Sequence, residues 1–189
     1  MRVDLNADVG ESFGVYTLGE DRAVMAAITS ANVAAAFHAG DPSVLRRTVR
    51  LACAHGVAIG AHPGLPDLVG FGRRVLQIAP DALEDLVLYQ IAAVAGVAAA
   101  EGAALRHVKA HGALYHMTSE SPALAAAMAR AIATFDRSLV VFAPPHSAMV
   151  QAAGDAGLTV AVEVFADRAY APDGRLVDRK MAGAVIDDT

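Results

Sequence analysis

A chain of 189 residues, 55% hydrophobic and 19% charged, suits one domain and buries ~70% of the surface its unfolded form exposes, so no staple is required. A net charge of −5 with no basic block argues against nucleic acid as a partner. The single Cys53 excludes an internal disulfide and a multi-cysteine metal centre. The acidic opening MRVDLNADVGE and the lack of an unbroken apolar run of ~18 residues argue against a signal peptide or membrane span, and for a cytoplasmic protein.

Short β-branched runs alternate with longer alanine- and leucine-rich ones along the chain. Residues Arg2 to Leu5 form the first expected strand, Glu20 to Ile28 a helix and Ala31 to Phe37 the second strand. Asp41-Pro42 combines an N-cap with proline at the first helical position, and the helix that follows ends at His55-Gly56. Val57 to Ala61 is the third strand, and a glycine- and proline-rich loop runs from Pro63 to Gly72. Asp81 to Glu101 is a long helix closed by Gly102, and Leu105 to Lys109 the fourth strand. Ser121-Pro122 starts a helix that runs to about Thr134. Leu139 to Ala143 is the fifth strand, Ser147 to Asp155 a short helix, and Thr159 to Phe165 the sixth strand. The remainder, Ala166 to Thr189, reads as mostly irregular.

This alternation predicts parallel strands with helical crossovers, in an α/β fold spanning residues 1–189 as one domain. Neither G-x-G-x-x-G nor a Walker A motif follows a strand, which disfavours a nucleotide-binding open sheet and favours a barrel.

Polar residues collect after the strands. The first leads to Asn6, Asp8 and Glu11, the second to His38 and Asp41, the third to His62, and the fourth to Lys109 and His111. The sixth carries Glu163, followed by Asp167 and Arg168. In a parallel barrel these positions converge on the face that holds active sites. Asp41 is better explained as a cap. Glu163, inside the apolar run TVAVEVF, needs a partner or a proton, and a structural salt bridge to Arg168 is its plain alternative. Lys109 at a strand end is costly to bury unpaired. Arg73 and Arg74 on the long loop suit a lid that reaches an anionic group, or simply face solvent. Asp8, His62 and His111 form the metal set if a divalent metal is used; the spacing alone leaves this open.

The segments DLNADVGESFG (Asp4 to Gly14), FHAGDP (Phe37 to Pro42), GVAIGAHPGLPDLVGFGRR (Gly56 to Arg74), VKAHGALY (Val108 to Tyr115), EVFADRAY (Glu163 to Tyr170) and GAVIDD (Gly183 to Asp188) resemble the signature segments of the LamB/YcsF family. The resemblance implies a (β/α)7 TIM-like barrel of the glycoside hydrolase/deacetylase type. It also implies a further strand and helix with a His-Gly-Asp motif past Thr189, so the 189 residues are expected either to be a truncated form or to lack part of the site. In activity it implies ATP-dependent cleavage of the 5-oxoproline lactam to glutamate, with partner subunits of the B and C type. The positions that match family motifs are Asp8, Glu11, His38, His62, Lys109, His111, Glu163, Asp167 and Arg168. Where relatives usually read Cys-Gly before FHAGD, this chain has Ala35-Ala36, which argues against a catalytic cysteine there.

For that reaction, Asp8 or Glu163, with His62 near, is the expected water-activating base. Lys109 and His111 are the expected donors to developing negative charge. Arg168, with His38 and Asp167 close by, is the expected substrate clamp. ATP is a co-substrate, and without a phosphate loop here its binding is expected on the partner chains. The second reading is a metal-dependent amidohydrolase or carbohydrate deacetylase, and the third a non-catalytic scaffold or sugar-binding protein. The oligomeric state is left open, a homo-oligomer included.

Overall fold

The computed structural model describes residues 3–172, 174, 176, 177 and 181–186. Its elements run β1 (Asn6–Val9), α1 (Asp21–Met25), β2 (Ser30–Ala34), α2 (Pro42–His55), β3 (Ala58–His62), α3 (Pro80–Ala100), β4 (Leu105–Lys109), α4 (Gly112–Glu120), α5 (Pro122–Phe135), β5 (Val140–Ala143), α6 (Ala148–Asp155) and β6 (Thr159–Val162). The six strands pair in parallel and in chain order. Sequential order with helical crossovers is the connectivity of a β/α barrel; a doubly wound sheet reverses its strand order.

Side-chain contacts show how far the sheet curls. At ~4.8 Å per strand, β1 and β6 would stand about 24 Å apart in a flat sheet. Instead Asn6 Nδ2 on β1 donates to Oε2 of Glu163, the residue that follows β6, at 3.2 Å. Lys109 Nζ at the end of β4 donates to Asn6 Oδ1 at 2.9 Å. The sheet is therefore rolled so that its two edges approach, giving a TIM-like wall with six of the seven strands the resemblance implies.

Helix boundaries follow from local chemistry. The Asp41 carboxylate accepts from Ser43 N and Val44 N, Pro42 opens α2, and Gly56 closes it in the left-handed conformation. Ser121 caps α5 in the same way through Leu124 N. The apolar core lies between sheet and helices, with Val33, Ile59, Val108 and Val141 meeting Val49, Val87, Ile91 and Ile132. Helix α3 is long and apolar enough, by length and composition, to cross a membrane. Leu83, Val87, Ile91, Val94 and Ala98 bury one face of it at helical spacing, while Asp81, Asp85 and Tyr89 are exposed.

The differences from the sequence reading include three strand boundaries and one added helix. The first strand is Asn6–Val9, four residues later than the expected Arg2 to Leu5 (Arg2 lies outside the described residues), so Asn6 and Asp8 sit within the strand. Their polar side chains are tolerated there because partners across the barrel satisfy them. Strand β2 ends at Ala34, because Ala36 turns left-handed at φ 68° and donates to Ala39 O. Strand β6 ends at Val162, which puts Glu163 at its mouth. Helix α4 is an addition to the expected elements; it begins directly after His111. Beyond Ala166 the described residues form only isolated bridges, Arg168 with Val185 and Tyr170 with Leu176.

Candidate active site

Strand alternation puts Asn6 and Asp8 on one face of β1, and pairing carries that face across the sheet. Asp8 lies opposite Asn32, Asn32 opposite Gly60, and Gly60 opposite His107. A Cβ at Gly60 would lie 2.1 Å from His107 Nε2. The absence of a side chain there lets His107 reach over β3, where its Nε2–H donates to Asn32 Oδ1 at 2.8 Å. Asn32 Nδ2 in turn donates to Asn6 Oδ1 at 2.7 Å and to Asp8 Oδ1 at 3.0 Å. Burial holds the His107 imidazole down to about 4, so it stays neutral near pH 7.

One layer nearer the strand C-termini sits the ionic centre. Lys109 Nζ is 3.0 Å from Glu163 Oε2 and 3.7 Å from Asp8 Oδ1. Both members of the Lys109–Glu163 pair are buried; the Asp8 side chain is 38% exposed and forms the open side. His62 Nε2 lies 3.2 Å from Asp8 Oδ2, and His62 Nδ1 donates to Lys109 O at 2.8 Å. Burial pushes the Asp8 carboxyl up, but His62 and Lys109 outweigh it and hold Asp8 well below the usual carboxylate range. Burial likewise opposes charge on His62, and the Asp8 carboxylate overrides it and raises the imidazole.

Beside this pair stand His111, His38 and Glu11. His111 Nδ1 faces His62 Nε2 at 3.0 Å, and His111 Nε2 donates to Phe71 O at 2.8 Å. His38 stacks on His111 with ring centroids 3.7 Å apart, and its Nε2 lies 3.3 Å from Glu11 Oε1. Burial lowers His38 and His111 to about 3 and raises Glu11. Glycines make room for these rings: a Cβ at Gly64 would lie 2.4 Å from His38 Nδ1, and one at Gly72 2.6 Å from His38 Cβ.

A cavity of about 340 Å³ opens next to this centre, lined among others by Tyr115, Glu120, His146, Phe165 and Tyr170. The Phe165 ring lies 4.9 Å from Lys109 Nζ and stands between the ammonium and the cavity it lines. Tyr115 Oη and Glu163 Oε1 are buried without a hydrogen-bond partner. Burial, then the neighbouring Glu163 carboxylate, push the Tyr115 phenol above its usual range.

The structure thus gathers Asp8, Glu11, His38, His62, Lys109, His111 and Glu163 in one place. It leaves Arg74 and Arg168 outside and brings Arg73 only to the rim. The Arg74 guanidinium closes onto Asp67 within its own loop. Arg73 lies exposed over the Phe71 ring at 5.0 Å, on the rim beside Glu11. Arg168 is buried and donates to the main-chain oxygens of Ala184 and Val177, which ties down the C-terminal segment. Asp167 is exposed, and its carbonyl accepts from Ile186 N. The partner of Glu163 is Lys109 and not Arg168, the plain alternative in the sequence. Sequence reasoning assigns His107 no role and misses Asn32 and Tyr115. A signal for Asn32 is present: one amide inside the apolar run SANVAAAF, which must find partners once buried.

A parallel β/α barrel with a layered polar interior, an ion pair and three packed imidazoles at its strand C-termini is the frame of a barrel enzyme. The chain belongs to the LamB/YcsF family, whose sequence pattern matches residues 3–189. It is 59% identical over 185 residues to the 5-oxoprolinase A subunit of Symbiobacterium thermophilum, covering 98% of this chain and 71% of that one. It is 54% identical over 188 residues to the protein of the same name from Pyrococcus abyssi, covering 100% and 74%. The fold superimposes on the crystal structure of the lactam utilization protein from Thermus thermophilus with a TM-score of 0.97 at 47% identity, covering 100% of this chain and 76% of that one.

Proposed function

We propose that this chain opens the lactam of 5-oxoproline to glutamate, as one component of an ATP-dependent complex with B- and C-type partners. The observation that carries this reading is the buried Lys109 ammonium, held between Glu163, Asp8 and Asn6 behind the Phe165 ring, which lines a neighbouring cavity of ligand size. The names borne by relatives at 54–59% identity point to the same reaction.

A lactam carbonyl is a weak electrophile. Transfer of the ATP γ-phosphoryl group to the amide oxygen makes its carbon attackable. Water adds to that carbon and loses a proton to a carboxylate of the site. The C–N bond breaks, the ring nitrogen leaves as an amine after taking a proton, and a second water releases phosphate from the acyl phosphate. Asp8 is the base best placed for the first water: it is ionised and partly open to solvent, with Oδ1 accepting from Asn32 and Oδ2 facing His62. Lys109 stabilises the negative charge of the phosphoryl group carried on the amide oxygen. His62 holds Asp8 in place, and Tyr115 is a donor within reach of Glu163. ATP is supplied by the partner chains, and dependence on it fits a reaction in the cytoplasm.

The test is glutamate release from 5-oxoproline by the chain combined with its two partners, with ATP and without it. Glutamate only with ATP is expected. Glutamate without ATP would replace this reading with an ordinary amidohydrolase.

A further inference from the structure

We propose that Asp8, Glu11, His62 and His111 form a binding site for one divalent transition-metal ion of the zinc type, with His38 as a supporting hydrogen-bond donor. The positions of hydrogen on the ring nitrogens are fixed by their partners. His62 Nδ1 is 2.8 Å from the Lys109 carbonyl, and His111 Nε2 is 2.8 Å from the Phe71 carbonyl. A carbonyl oxygen only accepts, so both nitrogens carry N–H. Without a metal, a proton on His62 Nε2, favoured by the Asp8 carboxylate, fills the place between the rings; once that proton is displaced, each neutral ring has a lone pair on its other nitrogen. Those two nitrogens, His62 Nε2 and His111 Nδ1, face each other at 3.0 Å inside the protein. Two buried lone pairs at that distance repel unless a positive centre lies between or beside them.

The surroundings select a metal ion over a proton. Metal-ligating histidines characteristically donate their second ring N–H to a backbone carbonyl or carboxylate, which fixes the tautomer; both rings do so here. Two carboxylate oxygens complete the set: Asp8 Oδ2 at 3.2 Å from His62 Nε2, and Glu11 Oε1 at 3.6 Å from His111 Nδ1. Bonds of ~2.0–2.1 Å in tetrahedral geometry put neighbouring donor atoms about 3.3 Å apart. The three observed separations, 3.0, 3.2 and 3.6 Å, bracket that value. The carboxylates are themselves held in place, Asp8 Oδ1 by Asn32 at 3.0 Å and Glu11 by His38 at 3.3 Å.

His38 also lies within the cluster, where Glu11, His38, His62 and His111 each offer an atom within 4.8 Å of the others. Ring geometry removes it from direct ligation. His38 and His111 stack at 3.7 Å with their planes 4° apart. A ligated ion lies in the plane of its imidazole, and one ion cannot lie in two parallel planes separated by a ring thickness. His38 therefore donates its Nε2–H to Glu11. Two imidazoles and two carboxylates are a donor set for zinc or a neighbouring first-row ion. Such an ion polarises a carbonyl or phosphoryl oxygen, or acidifies a bound water. The site stands on this geometry whether or not the lactam reading holds, because metal binding is read without turnover.

The experiment uses the full chain, stripped with chelator and titrated with Zn2+ and Co2+. It is followed by elemental analysis after gel filtration, by calorimetry and by the visible spectrum of the Co2+ form. One equivalent per chain is expected, with Co2+ bands of tetrahedral or five-coordinate intensity. His62→Gln and His111→Gln should weaken binding at least ~100-fold. His38→Gln should weaken it ~10–100-fold and leave the Co2+ band positions nearly unchanged. Circular dichroism establishes that each variant is folded, and the wild-type titration needs no variant. Less than a tenth of an equivalent bound by wild type would overturn the proposal and leave a proton bridging His62 and His111. Undiminished binding in the double variant would overturn it by placing the metal elsewhere. Loss of the Co2+ spectrum in His38→Gln would replace the proposed ligand set.

Discussion

The Lys109 ammonium lies 3.0 Å from the Glu163 carboxylate, in a contact that joins the end of β4 to the mouth of β6 and is buried on both sides. Removing one partner leaves the other charged and desolvated. Lys109→Met should therefore cost roughly 3–5 kcal/mol of stability in urea unfolding. Adding Glu163→Gln should restore at least half of that loss while activity stays abolished. A double variant no more stable than Lys109→Met would show that the pair is not coupled.

His107 makes stability depend on pH. Burial lowers its folded-state value to about 4 from an ordinary 6.5. Between those values the unfolded chain takes up a proton that the folded chain refuses. The contribution is complete above about pH 6.5 and is lost as pH falls toward 4, at most on the order of 3 kcal/mol. The stability difference between wild type and His107→Gln should shrink from pH 7.5 to pH 5. A difference that does not change with pH would contradict a neutral, buried His107.

Gly60 is the gap through which His107 reaches Asn32. Gly60→Ala puts a methyl group 2.1 Å from His107 Nε2, so the ring must move and release Asn32, which positions Asp8. A loss of about 1–3 kcal/mol in stability is expected, with kcat falling more than KM rises. An unchanged kcat would disconnect this layer from the site.

Ala36 holds a left-handed backbone at φ 68°. The conformation costs an L-residue ~1–2 kcal/mol, partly offset by the extra unfolded-state freedom of glycine. Ala36→Gly should raise the thermal midpoint and stabilise the chain by about 0.5–1 kcal/mol. A lower midpoint would mean that the Ala36 methyl group contributes packing that outweighs the strain.

What the sequence reveals and conceals has physical causes. Helices α2 and α5 are legible because Asp41-Pro42 and Ser121-Pro122 are local signals, fixed by the backbone groups beside them. The convergence of Asp8, His62, Lys109 and Glu163 follows from one rule, that parallel strands deliver their C-terminal residues to one face. Strand β1 is displaced from its expected place because Asn6 and Asp8 look like loop residues until Asn32 and Lys109, 26 and 103 residues from Asn6, satisfy them. The fates of Arg74 and Arg168 are hidden for the same reason. One is held by Asp67 and the other by main-chain carbonyls, and neither contact leaves a periodic trace. Helix α4 is obscured because no capping side chain marks its start: His111 stands at the N-cap without a side-chain hydrogen bond to the helix.

Asp8, ionised and partly open to solvent, is the group on which the proposed lactam opening turns. The most direct measurement is glutamate formation from 5-oxoproline by the complex carrying Asp8→Asn, with ATP saturating and the fold verified by circular dichroism. A fall of ~10²–10⁴-fold in kcat is expected. Glutamate formation within about twofold of wild type would contradict this role and remove Asp8 from the chemistry.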